Sequence, residues 1–273
     1  MKNSDMALVI IGYDPYKDVW NHYFELLNKF WPDNPFPVYL VNNEDPGIEY
    51  ENVTVINCGK DAEWSRKAQI ATQQIPEKYI CLLLEDLFTR DYVDTDRVLK
   101  AVKFIKDRDI KYYKLMTFSK FHTPHFENYR FLYTIPRNKP YGISLQAAIW
   151  EKNFLIEKLG TDNYNAWTFE KDRLDEETKE ATPIEGCVFD NRNILQIEHM
   201  IVQSMYLPPA VQYFNKKGYS IDLNERAVMS RKQYFIYANK RFWSDLLSGF
   251  DLTGIKKILK KMGMSFVSDS NSR

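Results

Sequence analysis

Two neighbouring acids interrupt an apolar run at residues 79–88, YICLLLEDLF. The first residues suit a strand buried on both faces, and then Glu85 and Asp86 arrive before Leu87 and Phe88 resume the run. Burying an unpaired carboxylate is costly. The pair must therefore surface at a turn, cap or ion-pair with something such as Arg66 or Arg90, or hold a cation. Other residues able to do chemistry are Tyr13 and Asp14 after ALVIIG, Arg66 and Lys67 in EWSRKA, His122 and His125 in an aromatic stretch, Glu170 in NAWTFE with Asp172 behind it, and Glu198 beside His199. Of these, Lys67 is expected to lie in solvent, and the two loop histidines to be ordinary.

Several familiar sites are missing from the sequence. There is no G-x-G-x-x-G after the first apolar run, no P-loop, no G-x-S-x-G elbow and no H-E-x-x-H. Cys58, Cys81 and Cys187 lie far apart without a C-x-x-C pair, which reads as free thiols in a reducing compartment. The start of the chain reads as neither a signal peptide nor a membrane span. Lys plus Arg equals Asp plus Glu at 37 each, so no global charge draws nucleic acid to the chain. Aromatic content of 15% suits a packed core and a cleft that stacks on rings.

The elements that must position these residues follow from periodicity. Residues 7–12, 38–41, 53–56, 79–84, 112–116 and 143–150 read as strands. Helices are expected from Trp20 to Trp31, from Trp64 to Ile75 with Asp61 as its cap, from Asp94 or Thr95, over 151–159 and over 207–217. Residues 117–140 show no clear period and read as an active-site loop or irregular hairpin. Strands alternating with helices imply an α/β domain with a mainly parallel sheet, whose ligands gather beyond the carboxyl ends of the strands. Tyr13, Asp14, Glu85 and Asp86 all fall at that edge. In the tail, Ile255, Ile258, Leu259 and Met262 oppose Lys256, Lys257, Lys260 and Lys261. Such a basic amphipathic face either caps the protein's own core or rests on an anionic membrane, a contact placed over residues 239–263.

Four stretches together resemble bacterial glycosyltransferases of the GT-A fold that build surface polysaccharide and lipopolysaccharide. They are LVIIGYDPYKDVW, EWSRKAQIATQQIPEKYICLLLEDLF, ISLQAAIWEKNFLIEKL followed by NAWTFE, and YLPPAVQYFNKKGYSIDLNER. The resemblance implies a catalytic domain over residues 1–230, with a nucleotide-binding half at 1–116 and an acceptor-side half at 117–230, and a helical basic tail at 231–273. It implies a hexosyltransferase-type enzyme that takes a nucleotide-diphosphate sugar and a glycan or lipid-linked acceptor. Such an enzyme would work in the cytoplasm or at the inner face of the cytoplasmic membrane. Asp86 would bind Mn2+ or Mg2+, joined by His199. Glu85 would hold the ribose, the sugar or a metal-bound water, and Tyr13 and Asp14 would meet the nucleobase. Arg66 would add positive charge near the phosphates. If the reaction inverts the anomeric centre it needs a base, and Glu170 is the candidate, with Trp167 and Phe169 walling the acceptor. Adjacent acids depart from the usual D-x-D spacing, since extended backbone would point them to opposite faces. Competing readings are a carbohydrate- or protein-binding module on the same fold and a sugar-phosphate nucleotidyltransferase. The second normally carries a Gly- and Arg-rich loop where this chain has Tyr13-Asp14-Pro15.

Overall fold

The computed structural model describes residues 4–115, 123–138, 141–175 and 181–247, with side chains throughout except at 172–175 and 243–247. His122, the Asp172 side chain and the lysine-rich stretch of the tail lie outside the described set. Two compact units emerge, one built from residues up to Met200 and the other continuing from Ile201.

The first unit contains β1 (Met6–Ile11), α1 (Lys17–Phe30), β2 (Val38–Asn42), β3 (Val53–Asn57), α2 (Trp64–Gln74), β4 (Tyr79–Leu83), β5 (Leu87–Thr89), α3 (Thr95–Asp107), β6 (Tyr112–Lys114), β7 (Leu132–Pro136), β8 (Ala148–Glu151), α4 (Lys152–Leu159), α5 (Ala166–Asp175), β9 (Pro183–Asp190) and β10 (Ile197–His199). Eight of these strands form one sheet in the order β3-β2-β1-β4-β8-β6-β9-β7. β3, β2, β1 and β4 run parallel, and β6 and β9 continue in their direction, while β8 and β7 run against them. The expected mixed α/β class with a mainly parallel sheet flanked by helices is observed. Every residue of β1 and β4 is buried, as a strand covered on both faces requires.

Helix α1 buries Val19, Trp20, Tyr23, Phe24, Leu27 and Phe30 along one side. Trp20 fixes the residue that follows β1: a Cβ on Gly12 would sit 2.7 Å from Cζ2 of that indole. On α3, Asp94 caps the first turn by accepting from the Arg97 amide at 3.0 Å.

Three boundaries differ from the sequence reading. Asp61 does not cap α2. The first amides of that helix are taken by a distant loop instead, Glu63 N donating to Asn163 Oδ1 at 2.9 Å and Ser65 N to the Tyr164 carbonyl at 2.9 Å. The strand foreseen over 143–150 begins only at Ala148, because side chains rather than a ladder hold the residues before it. Within 117–140 the described residues fold as an irregular hairpin, His125 bridging Tyr133, and its second limb Leu132–Pro136 also joins the main sheet as an edge strand on β9, which the sequence did not indicate.

The second unit carries β11 (Ile201–Val202), β12 (Met205–Tyr206), α6 (Pro208–Lys216) and α7 (Arg231–Leu247). β11 and β12 pair as a short hairpin, and α6 buries Ala210, Val211 and Phe214. Among the described residues no helix is long and apolar enough to cross a membrane.

Candidate active site at the carboxyl edge of the sheet

Beyond β4 the chain turns at once, the Leu87 amide donating to the Leu84 carbonyl at 3.1 Å, so Glu85 and Asp86 are the two central residues of a tight turn. A turn sends successive side chains apart, and these two part company. Glu85 folds inward, 7% exposed, and its Oε1 accepts from the Tyr13 amide at 3.1 Å. Burial first, and the neighbouring Asp86 charge second, push its pKa up to about 8. Asp86 turns the other way. Its Oδ2 lies 3.0 Å from Nε2 of His199, while Oδ1 is buried with no hydrogen-bond partner among the described residues. Among the described residues neither acid is locked to an arginine: Arg90 pairs with Glu198 at 2.6 Å, and Arg66, exposed, donates to the Thr161 carbonyl at 3.3 Å.

His199 reaches Asp86 through a two-stranded ribbon. β10 pairs antiparallel with β5, setting Ile197 against Thr89, Glu198 against Phe88 and His199 against Leu87. The ladder continues past the pair, with the Met200 amide donating to the Asp86 carbonyl at 2.8 Å.

At the ends of β1 and β2 a polar network joins the predicted residues. Asp14 accepts from the amides of Asn43 at 3.0 Å and Glu44 at 3.2 Å, so its carboxylate ties the turn after β1 to the loop after β2. Tyr13 projects outward, 57% exposed. Lys67 corrects the sequence reading. Rather than lying in solvent it is 4% exposed, and its Nζ donates to the Gly12 carbonyl at 2.7 Å and to Asn43 Oδ1 at 3.0 Å. Burial draws its pKa down while the charges of Glu85 and Asp14 oppose that shift. The position on α2 between Trp64 and Ala68, both buried, could have signalled this.

On the other half of the edge, α5 carries Glu170. Asn165 caps that helix, accepting from the Thr168 amide at 3.0 Å. Glu170 Oε1 accepts from the Leu145 amide at 3.0 Å, and burial raises its proton affinity while Lys114 lowers it. Phe169 does not share a wall with Trp167. Two positions on a helix lie about 200° apart, so Phe169 packs into the core on Trp64 and Trp150 while Trp167 stands in solvent. Lys114, which the sequence reading passed over, lies buried at the end of β6. His125 stacks on Tyr133 with ring centroids 4.5 Å apart.

Among the described residues no three His, Cys, Asp or Glu side chains gather as an all-protein metal cage. The donor that fits a hard divalent ion is Asp86 Oδ1, an unsatisfied carboxylate oxygen; magnesium commonly takes one or two carboxylates and completes its shell with water and substrate phosphates.

No protein-family model matches the chain, and no curated protein matches it. Among solved structures it is similar to residues 1–349 of S. aureus TarS, at 12% identity and a TM-score of 0.42, over 91% of this chain and 72% of that one. It is similar to the same fragment in complex with UDP-GlcNAc, at 14% identity and a TM-score of 0.39, over 90% of this chain and 73% of that one. The bifunctional IspDF from Campylobacter jejuni is similar at 12% identity and a TM-score of 0.36, over 62% of this chain and 47% of that one.

Proposed function

We propose that this chain is a glycosyltransferase that moves a sugar, as a hexosyltransferase does, from a nucleotide-diphosphate donor to a glycan or lipid-linked acceptor in cell-surface polysaccharide synthesis. The observation that carries the reading is the Asp86 carboxylate. It stands at a strand-end turn with one oxygen fixed by His199 and the other buried and unmatched. A buried acceptor without a partner is costly, and a ligand that satisfies it recovers that cost.

In this reading Asp86 holds Mg2+ or Mn2+ through Oδ1, and His199 fixes the carboxylate's orientation from behind. When bound, such an ion neutralises the charge that develops on a departing diphosphate. Tyr13 offers an exposed ring to the nucleobase, while Asp14 and Lys67 hold the turn that presents it. Glu85, its proton affinity raised by burial and by the Asp86 charge, accepts from the Tyr13 amide and so supports the turn after β1. Arg66, exposed in the first turn of α2, adds positive charge near the phosphates. Glu170 acts as the base that takes the acceptor hydroxyl's proton, a task its burial-raised proton affinity favours. The inverting outcome follows from that role. The enzyme works in the cytoplasm, reaching the inner membrane face through residues 239–263.

Thermal unfolding in the presence of UDP, GDP, CMP and CDP, each with and without manganese, tests the reading. One nucleotide with manganese should stabilise the protein, by about 2.7 kcal/mol when present at a hundredfold excess over its Kd. D86N should abolish the manganese-dependent part. No shift with any nucleotide would overturn the proposal.

A further inference from the structure

β6 ends on Lys114, a cation that is 1% exposed. A lysine in such a place is costly to keep charged, and burial draws its pKa down to about 7 against the opposing charge of Glu170. Its Nζ donates to the Tyr141 carbonyl at 2.8 Å. Four residues further along the same stretch, the Leu145 amide donates to Glu170 at 3.0 Å. Between these grips the Tyr112 hydroxyl stands 3.3 Å from both the carbonyl and the amide of Ser144. Residues 141–145 belong to no strand, so buried side chains from β6 and the half-buried Glu170 from α5 take backbone groups that a ladder would otherwise have taken. Tyr141 adopts a φ of 57°, a left-handed conformation that a non-glycine residue keeps only when its surroundings hold it there.

The stretch then enters β8. Because β8 runs against β4, pairing Leu82 with Ala148, the residues just before β8 arrive alongside the carboxyl end of β4, next to the turn that carries Glu85 and Asp86. Gln146, in this same stretch, has a buried Oε1 with no hydrogen-bond partner among the described residues.

We propose that Lys114 is a positioning residue: with Glu170 it clamps residues 141–147 at two points, holding that segment and the Glu170 carboxylate as one unit beside the Glu85–Asp86 turn. Its part in turnover rests on Glu170 acting as the base. The clamp itself does not. Among the described residues, the titratable groups around it are Glu170 from α5 and Tyr112 on its own strand, with Cys187 across from Tyr112 on β9. Burial pushes the Tyr112 hydroxyl well above its ordinary range and the Cys187 thiol up to about 12, so both stay uncharged across the neutral range.

Hydrogen–deuterium exchange of peptides spanning 141–147 tests the clamp in the whole chain, comparing wild type with K114M, K114R and Y112F. K114M keeps the aliphatic stem and loses the donor; exchange in this segment should quicken about tenfold while the rest of the sheet is unchanged, and K114R should restore most of the protection. Should K114M fail to fold, Y112F removes only the hydroxyl between the two grips and should quicken exchange there several-fold. Unchanged exchange in the folded variants overturns the clamp, whatever reaction the protein performs. Where a nucleotide sugar turns over, the acid limb of the pH–rate profile should move to higher pH in K114M, because the lost charge raises Glu170's proton affinity, and should return in K114R. Quickened exchange with an unmoved limb would overturn the positioning of Glu170.

Discussion

His199 and Asp86 stand 113 positions apart in the chain, yet Nε2 of one lies 3.0 Å from Oδ2 of the other. The contact is set by backbone register: β5 leaves the acidic turn, β10 pairs with it, and His199 falls opposite Leu87, one residue beyond Asp86. A carboxylate held from behind by an imidazole keeps its remaining oxygen aimed, a common support for a metal-binding carboxylate.

Replacing Asp86 by Asn should leave the fold intact and remove turnover. The unmatched Oδ1 is buried, so the protein loses no existing bond there, and stability should stay within about 1 kcal/mol of wild type. Activity on a nucleotide sugar should fall by about a hundredfold or more. Urea titration and an assay of released nucleotide measure the two effects.

His199 to Ala should act through Asp86. Removing a supporting partner of a metal-binding carboxylate typically costs about ten- to a hundredfold in metal affinity or activity. The half-saturating manganese concentration should therefore rise while nucleotide binding without metal holds steady. An unchanged manganese dependence would disprove the support role.

Lys67 to Met should weaken the fold more than a surface lysine would. It strips a charged donor from the Gly12 carbonyl and from Asn43, and a loss of about 2–3 kcal/mol is expected. Chemical denaturation reads this directly, and a change below about 0.5 kcal/mol would show that the buried ammonium contributes little.

Gly12 to Ala forces a choice between Trp20 and the end of β1. A new methyl 2.7 Å from the indole should cost about 1–3 kcal/mol and alter the near-ultraviolet dichroism of that tryptophan.

Stability should rise with pH through the window set by Lys114. Folded, it binds its proton with a pKa of about 7, against 10.5 ordinarily, so between those values the unfolded chain takes up more protons. The cost of the buried charge is thus fully present below about pH 7 and is relieved as pH rises. The difference in unfolding free energy, wild type minus K114M, should climb by up to about 1.4 kcal/mol per pH unit across that window. Urea titrations from about pH 6 to about pH 9 would show it, and a flat difference would contradict it.

Much of the first half was legible in the sequence because local signals settle it. β1 and β4 are continuous apolar runs, α1 and α2 have helical stripes, and Asp94 is a ready cap. The carboxyl edge was legible too, because α/β alternation alone dictates where strand ends fall. The partners of the acids were not. His199 comes from a strand three residues long, too short to leave a periodic trace, and its register with β5 is a tertiary fact. Lys67 reads as a surface residue because lysine usually is one, and Lys114 goes unremarked inside its strand; only the packed structure shows carbonyls waiting for each. Trp167 and Phe169 misled through adjacency in sequence, which on a helix means divergence.

The reversed direction of β8 has a consequence for how such an enzyme could be redesigned. Every parallel strand offers its outgoing loop to the working rim, but β8 offers its incoming one, so residues 141–147 reach that rim from a different part of the chain. On the proposed reading, exchanging this stretch as a cassette would retune acceptor preference while leaving residues 1–116 untouched.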